Sequence, residues 1–485
     1  MCTEVRALEP KVVWNKFADL NAVPRPSKKE EHMIRFMIDF GKSLGLETFS
    51  DTVGNVIIRK PATLGMEDRK TVTLQSHLDM VHQKNNHTIF DFEKQGIEMF
   101  VDGDWVKAKG TTLGADNGLG VATIMALLES TDIAHPPLEA LFTIDEETGM
   151  TGAMALEAGV LKGAILLNLD TEEDDEIDIG CAGGLDVTAF GRYNIENTQS
   201  DTVGYRITIA GLKGGHSGMD IHKGLGNANK IMNRLLYNCV FLFDANLCEI
   251  DGGGLRNAIP RESVATIAMN PSNDGFQVEF QKWSDAIKSE LSFAEPDLGI
   301  TLEAIERPDF CMEYRKVRDF LRTIYTAHNG VYAMSATMPD LVETSNNIAR
   351  VEMRNGEIKI GCLTRSSVNT AKMDLANSLK SAFELAGYEV IFSGDYPGWN
   401  PNPKSEILEV LKSKYESLFH EEPKVVACHA GLECGILGRN YPDMDMVSFG
   451  PTILGAHSPD ERVRISSVKK FWGFVQEILK DIPKK

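Results

Sequence analysis

The stretch 397–485 most constrains what this chain can fold into. It carries a helical pattern at 407–418, one strand-like run at 446–449 and a last helical pattern at 468–479. That is too little apolar surface to close a core of its own, so it must complete a core begun elsewhere. Residues 1–186 offer one of the right kind. Ser27-Lys28-Lys29-Glu30 has the form of a capping box after Pro24 and Pro26, and Met33, Ile34, Met37 and Phe40 follow at helical spacing. Apolar runs of strand length stand at 56–58, 72–74, 138–144 and 165–169, with a helical stretch at 119–128 between the second and the third. Strands alternating with helices predict an α/β domain with a mostly parallel sheet flanked by helices.

Between these two parts the pattern changes. Strand-like runs at 205–210, 264–269 and 300–305 alternate with helical patterns at 229–236 and 277–291. Runs at 350–353 and 358–363 flank Asn355-Gly356, a strong hairpin signal. A helix over 372–385 and a strand at 390–392 follow, and YPGWNPNP (396–403) reads as a linker back. The expectation is a discontinuous domain, 1–186 with 397–485, interrupted by an inserted α+β domain at 187–396. Its 485 residues also exceed what one core usually serves.

Composition removes several functions. Apolar residues make up 42% and charged residues 25%, the balance of an ordinary globular chain. No run approaches the roughly 18 apolar residues that span a bilayer, so no membrane partner is expected. The net charge of −20 would repel a nucleic acid. MCTEVRALEPKVVW has no basic region ahead of an apolar core, so export is not expected. Cysteines at 2, 181, 239, 248, 311, 362, 428 and 434 have no CxxC spacing and fit a reducing, cytoplasmic setting without disulfides.

Acids and histidines stand just after the apolar runs. His77 and Asp79 follow TVTLQ, Glu146 and Glu147 follow LEALFTID, Asp170 follows AILLNL, and His457 follows DMVSFGPTILGA. In open α/β sheets ligands bind beyond the carboxyl ends of the strands. Four such runs delivering metal-competent side chains to one edge therefore point to a site. Each piece alone also has a plainer reading. His77-Leu78-Asp79 places imidazole and carboxylate on one face of an extended chain, as ligand and orienter or as a surface polar pair. Asp116, in GADNG, is a helix N-cap or a carboxylate bridging two cations. Glu146 and Glu147 would point opposite ways in a strand, so the chain must turn there, with Gly149 and Gly152 permitting it. These two acids are either the acidic first turn of a helix or a metal ligand beside a group facing water. Asp170 opens the run DTEEDDE, the rest of which reads as a solvated loop. A lone His457 would usually be structural. Taken together, His77, Asp116, Glu147, Asp170 and His457 mix nitrogen and carboxylate oxygen without sulfur. That set suits zinc, with manganese or cobalt able to substitute, whereas calcium would want oxygen alone.

In this order, SHLDM, GADNG, DEETG, NLDTEE and GAHSPDE resemble the motifs of the zinc-dependent exopeptidase family that contains carnosinase, glutamate carboxypeptidase and tripeptidase T. GCAGG (180–184), GGHSGMDIHKGLGNAN (214–229), RNAIPRE (256–262), PGWNPNP (397–403) and CHAGLECG (428–435) extend the likeness nearly end to end, toward members acting on Xaa-His dipeptides. The resemblance implies two zinc ions per subunit bridged by Asp116. His77 and Asp170 would complete one site, Glu147 and His457 the other. Asp79 would orient His77, and Glu146 would be the general base of a metal-activated water. The inserted domain would be a lid that pairs two chains as a homodimer. His216 would stabilise the oxyanion in the neighbouring subunit's site, and Asn257 and Arg365 would hold the substrate's C-terminal end. The substrate would be a small peptide, with carnosine-type dipeptides included. An N-acyl amino acid amidohydrolase or a carboxypeptidase would be the alternative on the same metals.

Overall fold

The computed structural model describes residues 3–273 and 275–485; Cys2 lies outside them. Cys239, Cys248, Cys311 and Cys362 are free thiols. Among the described residues no helix is long and apolar enough to cross a membrane.

The chain divides into two compact units. The first comprises residues 1–180, 401–427 and 432–485, and the second 181–400 with 428–431. The division thus falls a few residues before 187, because Gly183–Arg192 is a single strand laddered along its whole length to Glu357–Ser366. The short return 428–431 belongs with it through backbone bonds, as Ala182 N–H donates to the carbonyls of Cys428 (3.1 Å) and Ala430 (2.9 Å).

The first unit is built on an eight-stranded sheet. Its order is Glu47–Ser50, Val56–Lys60, Leu138–Thr143, Val72–His77, Ile165–Asn168, Asp445–Ser448, Glu176–Cys181 and Lys424–Cys428. Leu138–Thr143, Val72–His77, Ile165–Asn168 and Asp445–Ser448 run parallel, and Val56–Lys60 and Glu176–Cys181 flank them antiparallel. Every residue of Val72–His77, Leu138–Thr143 and Ile165–Asn168 is buried. Strands covered on both faces read as continuous apolar runs, which is why they were visible in sequence. Helix Ala115–Glu129 is buried almost all round and packs on Val72–His77. A second, four-stranded sheet joins Met99–Asp102 and Trp105–Ala108 to Ile453–Leu454 and Arg462–Arg464, and the loop between its last two strands carries His457.

One expected local feature is absent. Helix Glu31–Ser43 begins after Ser27, and no side chain caps it. Ser27 Oγ instead donates to Asp79 Oδ2 at 2.8 Å, and Glu30 Oε1 accepts from the N–H groups of Lys28 (2.9 Å) and Asp145 (3.1 Å). The capping residues are drawn off to support the strand ends.

The second unit carries a nine-stranded sheet whose recorded pairings are all antiparallel. Helices Ala228–Phe243, Tyr314–Thr326 and Asn369–Leu385 pack with it around one core containing Leu235, Phe320, Ile360 and Phe383. Strands Val342–Arg354 and Glu357–Ser366 form the hairpin at Asn355-Gly356, with Asn355 at φ 52°.

Candidate metal centre

The parallel strands of the first unit deliver their side chains to one point. His77 ends its strand, Asp170 lies two residues past Asn168, and Asp116 is the second residue of helix Ala115–Glu129. After Leu138–Thr143 the chain turns sharply. Asp145 (φ 53°) and Met150 (φ 50°) take left-handed conformations on either side of the single turn Glu146–Gly149. The expected turn therefore exists, but its left-handed residues are not the glycines. Gly152 serves through closeness instead, since a Cβ there would lie 2.6 Å from Ile144 N and would also strike Asn55 Oδ1.

Asp116 stands at the centre. His77 Nε2 lies 3.1 Å from its Oδ1, and His457 Nε2 lies 3.2 Å from its Oδ2. Asp170 Oδ1 is 3.5 Å from His77 Nε2, and Glu147 Oε2 is 2.9 Å from His457 Nε2. Two groups able to hold a metal ion result: His77, Asp116 and Asp170, and Asp116, Glu147 and His457. They share Asp116, one oxygen to each side. His77 is buried, whereas the His457 side chain is 56% exposed, so the second group opens at the rim.

The electrostatics call for cations. Asp170 Oδ1 and Glu147 Oε1 are buried without a hydrogen-bond partner, a costly state unless something positive is supplied. Without metal, hydrogen bonds to Asp116 and Glu147 push the His457 imidazole up to about 11. Burial works against a charge on His77, yet Asp170, Asp116 and Asp79 together raise it well above its ordinary value. Burial, reinforced by Asp170, Glu433 and Glu147, holds the Glu146 carboxyl well above the usual range.

A supporting layer fixes these ligands. Asp79 Oδ1 is 3.3 Å from His77 Nδ1, and the same carboxylate accepts from the N–H groups of Glu146 (3.0 Å) and Glu147 (3.3 Å). It lies beside the imidazole, whose Nδ1 is also 3.2 Å from the Asp79 carbonyl, and pins the two-glutamate turn together. Several residues of this layer escaped the sequence reading. Glu461 accepts from the N–H groups of Leu113 (2.7 Å), Gly114 (3.0 Å) and Ala115 (2.7 Å), clamping the loop before Asp116. It stands four residues after His457 in GAHSPDE, the one signal that could have marked it. Fully buried Arg25 donates to the carbonyls of Leu78 (3.1 Å), Asp79 (2.9 Å) and Gly114 (2.5 Å). Glu433 Oε2 accepts from Gln75 Nε2 (2.5 Å) and Thr143 Oγ1 (2.7 Å), tying two strand ends. Glu172, assigned to a solvated loop, is half-buried; burial, then Asp116, push it up to about 8.

The second unit gathers the other expected residues. His216 Nδ1 accepts from the N–H groups of Gly218 (3.3 Å) and Met219 (3.1 Å). Burial and then Arg365 press His216 down to about 4, so it is neutral at ordinary pH. With Nδ1 accepting, its one proton belongs on Nε2. That nitrogen lies 3.3 Å from Arg365 Nη2, another donor. Two donors face each other and lack a shared acceptor, the setting an anionic oxygen would relieve. Asn257 is exposed, and its carbonyl accepts from Ser217 N–H at 2.8 Å, bringing RNAIPRE beside GGHSG.

A parallel sheet whose strand ends gather two ligand groups around one shared carboxylate defines a metal-dependent hydrolase. The chain belongs to peptidase family M20/M25/M40, whose model matches residues 73–481, and it is an enzyme that hydrolyses peptide bonds. It is 43% identical over 484 residues to the cytosol non-specific dipeptidase of Escherichia coli K12, covering 100% of both chains. The crystal structure of aminoacylhistidine dipeptidase from Vibrio alginolyticus superposes with a TM-score of 0.94 at 42% identity, covering 100% of this chain and 99% of that one. Aminopeptidase PepT from Bacillus cereus shares the fold at 17% identity, with a TM-score of 0.58 over 98% of this chain and 99% of that one.

Proposed function

We propose that the protein is a dizinc dipeptidase accepting Xaa-His dipeptides, carnosine-type ones among them. The observation that carries this reading is Asp116, which turns Oδ1 toward His77 and Oδ2 toward His457. His77, Asp116 and Asp170 would hold one zinc, and Asp116, Glu147 and His457 the other. The orphaned oxygens of Asp170 and Glu147 fit that assignment. Bound there, the pair would lower the pKa of water toward about 7 and polarise the scissile carbonyl.

The remaining work falls to side chains. Glu146, whose buried carboxyl has a raised proton affinity, accepts the proton of the attacking water and returns it to the leaving amine. Asp79 keeps His77 and the Glu146–Glu147 turn in place. His216 donates its Nε2 proton to the developing oxyanion, and Arg365 with Asn257 holds the substrate's terminal carboxylate. A planar guanidinium suits that task because two of its N–H groups reach both oxygens. The second unit acts as a lid that pairs two chains, with His216 serving the partner subunit's site. The names of the two full-length relatives support dipeptides as substrates and the cytosol as location.

Zinc- or manganese-loaded protein should cleave Xaa-His dipeptides and leave N-acetylated amino acids largely intact; a preference for blocked amino termini would make it an amidohydrolase. Glu146→Ala should lower kcat by at least about a hundredfold with metal content unchanged. Full turnover in that variant would remove Glu146 as the base. Sedimentation should give twice the chain mass of 53.5 kDa, and a monomer would contradict the pairing.

A further inference from the structure

Arg365 is 4% exposed, yet its hydrogen-bond partners are neutral. Nε donates to Ser217 Oγ (3.3 Å), Nη1 donates to Tyr396 Oη (3.0 Å), and Nη2 faces the uncharged His216 (3.3 Å). Asp186 feels the Arg365 charge but is ion-paired to Arg256, so this buried guanidinium is held in place by neutral groups, at a cost. The most firmly placed of its partners is Tyr396. Its backbone pairs with Gly184. Its carbonyl accepts from Lys372 Nζ at 2.5 Å, and that lysine, 2% exposed, also pairs with Asp395 at 2.7 Å. Its ring lies directly on Gly184, where a Cβ would come within 2.5 Å of the ring edge and 2.6 Å of the hydroxyl oxygen. The last glycine of GCAGG is the space the phenol occupies.

We propose that Tyr396 is the positioning residue that sets the guanidinium of Arg365 for the substrate's terminal carboxylate. The inference rests on the role given to Arg365 above. With Nε held by Ser217 and one Nη1 hydrogen held by Tyr396, rotation about the last side-chain bonds is blocked. The unspent N–H groups then keep one heading before substrate arrives, and pre-set geometry strengthens binding by cutting the ordering cost. Tyr396 accepts from Arg365 and does not itself need to touch the peptide.

The test compares a dipeptide with its C-terminal amide, which lacks the carboxylate. Tyr396→Phe keeps the ring on Gly184, and its melting temperature shows whether the fold is intact. The preference for acid over amide, as a ratio of kcat/KM, should fall about tenfold, with the loss in the KM of the acid. An equal fall for both substrates, or none for either, overturns the proposal. Arg365→Met separates the two ideas. If it leaves the preference unchanged, the role of Arg365 fails and the proposal with it. If Arg365→Met erases the preference and Tyr396→Phe does not, the positioning role alone fails.

Discussion

At the scale of single residues, the site is a surplus of carboxylates waiting for positive charge. His457 is pushed up to about 11 by Asp116 and then Glu147, and His77 is raised by Asp170, Asp116 and Asp79 against its burial. Below those raised values both imidazoles carry protons in the metal-free protein. A metal must displace them, so binding releases protons and weakens as pH falls. Titration calorimetry with zinc near neutral pH, in buffers of different ionisation heat, should show release of about two protons. Heat independent of the buffer would contradict this. His77, Glu146, Glu147 and Asp170 were legible beforehand because each follows an apolar run that ends a buried strand. Arg25, Ser27 and Glu461 were not. Their partners are backbone groups and side chains of remote loops, and no local pattern announces such a pairing.

At the scale of elements, the turn after Leu138–Thr143 sets two candidate functional carboxylates on one short segment. Asp79 accepts from the N–H groups of both glutamates, and Gly152 lets the chain fold back against Ile144. Gly152→Ala should therefore cost about 1–3 kcal/mol of stability, as overpacking does, and lower kcat as well. Thermal denaturation alongside steady-state kinetics checks both, and a variant with unchanged melting temperature and kcat would refute the role of close packing. The buried central strands, the long helices and the Asn355-Gly356 hairpin were readable from periodicity and turn chemistry. Strands such as Glu47–Ser50 and Met99–Asp102 were not, because they are short and partly exposed and show no clean alternation. The Ser27–Glu30 pattern misled because tertiary bonds to Asp79 and Asp145 outcompeted a local cap.

At the scale of the whole molecule, the divided chain brings distant segments to one group of candidate metal ligands. Residues 1–180 supply His77, Asp116, Glu147 and Asp170, and residues 432–485 supply His457 and Glu461. Glu461 clamps the loop that presents Asp116, so the late segment contributes one candidate ligand and the support of another. The sequence changes pattern near 187 and again near 397, whereas the compact units divide at 180/181 and 400/401. The return of 428–431 to the second unit was not visible, since four residues carry no periodicity. These features converge on a proposed pair of metals that Asp116 would bridge. Diffraction data collected at the zinc absorption edge, from crystals grown with zinc, test it most directly. Two anomalous peaks about 3.5–4 Å apart are expected, one against His77 and Asp170, the other against Glu147 and His457, with Asp116 touching both. A single peak, or two peaks that do not share Asp116, would contradict the account.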